Sequence, residues 1–254
     1  MKIFFLRVVI GIGLLILILF FGVFFSIASA RKDPPPLLAA NVTELDKIQR
    51  ISKYRSCAGH VTVPQDNRET RRNMKHYFWV KPEYNKPKTV EIYAPYDGYV
   101  ADMRSDAAEN LEGEIWISQK KIFFLVPPVG VWAFSVQHID IRPDLKLGDA
   151  VKAGELIGWL ATSKARGDSF DIVYARSRIP TKRIDNWTDP FADLDSIFNH
   201  MSDGAFAEYE KLGISSRDAF ITSKQERDRN LCEYSGEGPY FTDQENPENW
   251  VMFP

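Results

Sequence analysis

Four histidines, His60, His76, His138 and His200, are the main chemical resource of this 254-residue sequence. A neutral imidazole can bind a metal or move protons near neutral pH, so each is weighed by its neighbours. His60 follows Gly59 in a predicted loop beside Cys57, where it is a structural residue or a metal ligand. His138 stands in phase with Trp132, Phe134 and Val136 by strand alternation. A half-buried, hydrogen-bonded histidine and a catalytic one fit that placement equally. His76 has no partner at metal spacing and reads as structural. His200 falls on a predicted helix and is expected to be exposed. Among the carboxylates, Asp171 lies between Phe170 and Ile172 of a predicted strand and points opposite to both. Solvation is one outcome for it, and a pair with His60 or Arg166 is the other. Cys57 and Cys232, with no Cys-x-x-Cys partner, do not make a zinc ribbon. They close a disulfide in an oxidising compartment or remain as two buried thiols.

The elements that must hold these residues can be read from the pattern. Val8 to Ala30 is a run of 23 residues without a charge, preceded by Lys2 and Arg7. At about 1.5 Å per residue, a helix of that length can cross a roughly 30 Å hydrocarbon core. It is an uncleaved transmembrane anchor or, through Ala28-Ser29-Ala30, a signal segment removed by a peptidase. Either one places the remainder outside the cytoplasm, anchored to the membrane or secreted. A stiff spacer with Pro34-Pro35-Pro36 follows. After it, a short helix is predicted over Thr43–Lys53, with Leu45, Ile48 and Ile51 on one side.

Short strands are predicted at 90–93, 99–103, 115–118, 122–126, 131–139, 156–160 and 170–174. Asp97-Gly98, Gly148-Asp149 and Ala153-Gly154 mark turns between them. Beyond Pro180 the helical pattern returns. One helix is capped by Thr188-Asp189-Pro190 and carries Leu194, Ile197, Phe198 and Met201; a second ends at Gly213; a third runs from Ser215 or Ser216 to about Asn230. These helices are expected to cover the sheet. The expected fold is mainly β, divided into an anchor or signal segment (1–30), a spacer with a short helix (31–54), a β domain (55–180) and a helical C-terminal extension (181–254).

Three segments carry a resemblance: Tyr93-Ala-Pro-Tyr-Asp-Gly-Tyr-Val100, His138-Ile-Asp-Ile, and Gly148-Asp-Ala-Val-Lys-Ala-Gly154-Glu-Leu-Ile-Gly158. Together they look like the barrel-sandwich, or duplicated hybrid, motif, in the form that resembles lysostaphin-type zinc endopeptidases that cut peptidoglycan cross-links. The resemblance covers roughly residues 55–176. It implies a Zn²⁺ held by two His and one Asp, with further His residues handling protons. The ligands come from a His-x-x-x-Asp segment and a His-x-His strand. His60 matches the first His, but Pro64 stands where the Asp belongs, with Asp66 a weaker substitute. Ser169 and Asp171 stand at the His-x-His positions, and His138 matches the proton-handling His. The resemblance therefore implies His60, Asp171 and, more weakly, Asp66 as metal candidates, and His138 as the catalytic candidate. One His with two carboxylates is an unusual set for Zn²⁺.

Composition bounds the partners. The chain is 44% hydrophobic and 26% charged, with 32 basic and 34 acidic residues. Residues 31–254 carry 30 − 34 = −4, without the basic surplus that nucleic-acid binding needs. The expectation is a membrane-tethered, extracytoplasmic peptidase-like module that binds a cell-envelope glycan, peptide or protein without cutting it. The alternative is an active zinc endopeptidase with a rearranged ligand set. An export-system adaptor would need a long helical hairpin, and Asp102 to Val131 is too short for one.

Overall fold

A computed structural model describes residues 2–30, 33–66, 68–106, 111–121, 130–162, 168–177 and 191–254; on the N-terminal helix it describes the side chains of Arg7 and residues 9–22. That helix, α1, is continuous over Lys2–Ala30. All the described side chains of residues 9–22 are exposed, on every side of the helix. Among the described residues no helix is long and apolar enough to cross a membrane.

Eleven strands follow: β1 (Ile48–Ser52), β2 (His76–Val80), β3 (Glu91–Tyr93), β4 (Gly98–Asp106), β5 (Leu111–Ser118), β6 (Trp132–Ile141), β7 (Ala150–Val151), β8 (Leu156–Leu160), β9 (Ser169–Ser177), β10 (Phe191–Asp195) and β11 (Trp250–Met252). Every pairing is antiparallel, and the main order is β11-β1-β2-β9-β6-β5-β4-β7, with β10 on β9 and β8 joined to β3 and β6. The expected strand at 122–126 lies outside the described residues.

Alternation along the central strands buries both faces of this sheet. Phe170, Ile172 and Tyr174 of β9, with Phe134 and Val136 of β6, enter the main core. Val173, Ala175 and Ala133 enter a second cluster with Trp116, Phe191 and the two cysteines. The motif turns behave as their residues require. Asp97 accepts hydrogen bonds from the Ala153 amide at 3.0 Å and from Lys152 at 2.8 Å, tying the two turns together. Gly158 lies so close to the Asp140 carbonyl that a Cβ would sit 2.6 Å from it.

The structure corrects three helical expectations. Within Thr43–Lys53 only Leu45–Lys47 is helical, as one 3₁₀ turn, and Ile48–Ser52 is β1. The segment through Leu194 is β10, followed by a 3₁₀ turn at Ile197–His200. In both strands a bulge lets residues three apart, Ile48 and Ile51 or Phe191 and Leu194, face the interior together. A bulged strand thus imitates a helical spacing. The third expected helix is split into a 3₁₀ turn at Arg217–Phe220 and α3 (Lys224–Arg229). Tyr54 interrupts it by bonding the backbone at Phe220 and Thr222, and Ser223 caps the new start through the Glu226 amide.

The middle helix, α2 (Asp203–Lys211), is capped by Ser202. It ends before Gly213, whose φ is +87°, as its sequence requires. The C-terminal region is therefore not a helical cover but supplies β10 and β11 to the sheet. Cys57 and Cys232 form a disulfide, with Cα atoms 5.4 Å apart.

Candidate functional site

Register sets the site. Tyr77 of β2, Asp171 of β9, Gln137 of β6 and Glu114 of β5 are successive cross-strand partners, forming one polar row over four strands. Asp171 is not solvated, contrary to one of its expected outcomes: it is 1% exposed. Its partner is Lys75, the residue just before β2. The Lys75 ammonium, itself buried, donates to Asp171 Oδ2 at 3.3 Å, to Gln137 Oε1 at 3.0 Å and to His60 Nε2 at 3.4 Å. An ammonium has three donors, and each finds an acceptor. Arg166, the other partner expected for Asp171, lies outside the described residues.

His60 is held in the tautomer this requires. Its Nδ1 faces the Val61 carbonyl at 2.9 Å, so that nitrogen carries the hydrogen and Nε2 presents a lone pair to Lys75. Gly59, at φ +71°, makes room beside it: a Cβ there would lie 2.4 Å from the Tyr77 ring. Gln137 completes the row by donating through Nε2 to Glu114 Oε1 at 2.9 Å. That oxygen also accepts from Trp116 Nε1 at 2.6 Å and Ser135 Oγ at 3.3 Å.

His138 arrives by a departure from alternation. It was expected on the side of Phe134 and Val136, but β6 bulges there: Gln137 pairs with Glu114 and Ile139 with Gly113, leaving His138 as the extra residue at φ +66°. The bulge restores Ile139 to the main core. It also brings His138 Nε2 to 3.8 Å from Asp171 Oδ1. That oxygen is buried and has no hydrogen-bond partner among the described residues. Burial pushes the Asp171 carboxyl up, but Lys75, then His138 and His60, outweigh it and hold it below its ordinary value.

Asp66 is not part of this cluster; it bonds Arg68 through the backbone and pairs with its guanidinium. His76 is 1% exposed and bridges Ser52 O at 2.8 Å and Ser196 Oγ at 2.9 Å, a structural placement. His200 is half-buried rather than exposed, donating to Asp195 Oδ2 at 2.7 Å beside the Tyr174 ring.

The donor set does not fit Zn²⁺. A zinc ion binds imidazole and carboxylate at about 2.0–2.2 Å, and the point between His60 Nε2 and Asp171 Oδ2 is taken by the Lys75 ammonium. Among the described residues no group of three His, Cys, Asp or Glu is placed to hold a metal. Lys75, Gln137 and Glu114 are the residues that sequence reading missed. The one signal for Lys75 was a lone cation at the head of the run His76-Tyr-Phe-Trp-Val80.

A cleft of about 340 Å³ opens beside the cluster, lined among others by Tyr77, Trp79, Ser169, Tyr240 and Trp250. A larger cavity, about 850 Å³, lies around the disulfide and α3 and includes none of the row.

No protein-family model matches this chain, and no curated protein matches it. Among solved structures it is similar to Helicobacter pylori Csd3, at 16% identity over 56% of this chain and 30% of that one, with a TM-score of 0.35. It is similar to lysostaphin at 16% identity over 54% of this chain and 48% of that one, with a TM-score of 0.31. This chain thus spans under half the length of either protein. Similarity to the SpoIIQ–SpoIIIAH pore-forming complex is 14% identity over 70% of this chain and 98% of that one, with a TM-score of 0.36.

Proposed function

We propose that this chain is a membrane-tethered, extracytoplasmic module with a peptidase-like β core that binds a component of the cell envelope and does not cut it. One observation carries the reading: the Lys75 ammonium is bonded to His60 Nε2, Gln137 Oε1 and Asp171 Oδ2, where a hydrolytic metal would have to sit. A dication brought there would meet a fixed positive charge instead of an open coordination position. The strand register supports the same reading. The β2 residues opposite Asp171 and Ser169 are Tyr77 and Trp79, neither a histidine nor a carboxylate. His138 stays beside Asp171, its Nε2 3.8 Å from Oδ1.

Tethering rests on α1. Its described apolar side chains, residues 9–22, surround the helix and are all exposed, as for a helix whose partner is lipid. The uncharged sequence out to Ala30 lengthens that stretch to the roughly 20 residues a span needs. The Cys57–Cys232 disulfide agrees with an oxidising compartment.

The test is elemental analysis for zinc on the purified full chain, beside an assay for peptides released from peptidoglycan. The expected result is zinc far below one per chain and no released peptide. Stoichiometric zinc that disappears in a His60→Ala, Asp171→Ala double variant, together with released peptide, would replace this reading with a zinc endopeptidase.

A further inference from the structure

We propose that the aromatic cleft beside Lys75 is a binding site for a neutral saccharide chain; this deepens the non-cleaving reading and rests on it. Tyr77 and Trp79 of β2 line it together with Tyr240 and Trp250. The two indoles meet edge to face, their centroids 6.1 Å apart at 79°, and form the inner, braced side of the cleft. Tyr240 is 40% exposed, the aromatic most open to an incoming ring. Asp168, Ser169 and Gln244 add polar atoms along the same cleft. Gln244 Nε2 donates one hydrogen to the Phe241 carbonyl at 2.9 Å, which orients the amide so that its oxygen can accept from a ligand hydroxyl.

Charge selects among ligands that stack on aromatic rings. The obvious cation position is already filled from within: the Arg50 guanidinium lies 4.3 Å from the Trp79 ring centre and 4.1 Å from that of Trp250. It also bonds Glu245 at 2.7 Å, neutralising one of the two carboxylates that line the cleft. A cationic side chain would compete with Arg50 for the same rings. An anionic ligand would face Asp168. A neutral ring bearing hydroxyls avoids both conflicts by stacking its C–H face on Tyr240, the exposed ring, and sharing its hydroxyls with Asp168, Ser169 and Gln244. A cleft of 340 Å³ holds about one or two such rings. The cleft is also braced by the cluster. His60 meets Tyr240 edge to face at 5.9 Å, and Tyr77 is the cross-strand partner of Asp171.

The experiment titrates the full chain in detergent with chitotetraose and with cellotetraose, following tryptophan fluorescence and heat, and uses pentalysine as the cationic comparison. The expected result is saturable binding of at least one neutral oligosaccharide, weakened about tenfold or more by Tyr240→Ala while the thermal midpoint holds. No binding of either oligosaccharide, equal binding by the variant, or preferential binding of pentalysine would each overturn the assignment. The non-cleaving reading fails on a separate observation, peptide released from peptidoglycan, so the two failures are told apart.

Discussion

Lys75 and Asp171 are nearly fully buried, so each is the other's replacement for water. Removing the ammonium strands a carboxylate whose Oδ1 already lacks a hydrogen bond among the described residues. Lys75→Met should therefore lower stability by about 3–5 kcal/mol in chemical denaturation. Adding Asp171→Asn should recover a large part of that loss, because a neutral amide no longer needs a cation. A coupling energy near zero in that double-mutant cycle would show that the two residues act independently. His76 makes a different prediction. Burial lowers its pKa from 6.5 to about 4, opposed by the Ser52 carbonyl and Asp195. The unfolded chain thus binds a proton between those values that the native chain refuses, so stability is complete above pH 6.5 and declines as pH falls towards 4. Thermal midpoints should drop across that window by the equivalent of about 3 kcal/mol, and His76→Gln should flatten the decline. At this scale the sequence exposed the chemistry of His60, His138 and Asp171 but not their centre. A lysine heading an aromatic strand reads as an edge charge. Only the folded positions of Gly59 and His60, and the register of β9 against β2, show that it is enclosed.

Secondary structure was legible where alternation was unbroken and hidden where it was not. Leu156–Leu160 was read to the residue, and the strands ending in His138-Ile139 and Tyr174 were found because apolar residues recur at two. β1 was taken for a helix because a bulge sets Ile48 and Ile51 three apart on one face. β10 was taken for one because Leu194 is followed at helical spacing by Ile197, Phe198 and Met201 of the next turn, and β6 misled through its bulge at His138. β2 was missed because the apolar run Tyr77-Phe-Trp-Val80 does not alternate, both of its faces being largely buried. For α1 the opposite holds: its composition is unambiguous, and its described side chains are all exposed. Deleting residues 2–30 should move the protein from the carbonate-resistant membrane fraction to the soluble one. The thermal midpoint of the remaining body should change by no more than about 1 °C, since surface changes away from packing contribute little. A large drop in midpoint would mean that α1 packs on the body.

At the scale of the whole molecule, distant parts of the chain meet. Cys57 reaches Cys232, and Tyr54 donates to the Leu194 carbonyl at 2.8 Å. The β1 register pairs Ile51 with Val251, 251 − 51 = 200 residues apart. At a synthesis rate of about 5–20 residues per second, the outer edge of β1 waits about 10–40 s for the strand that will cover it. During that interval it is an open template for any extended chain nearby. Cys57 waits almost as long for its partner, with its thiol free for other disulfides. If the chain is exported, as proposed above, it would need a holding factor on the way. A ribosome that stalls before Trp250 releases a chain that cannot shield its own edge, and such a chain is exposed to proteolysis.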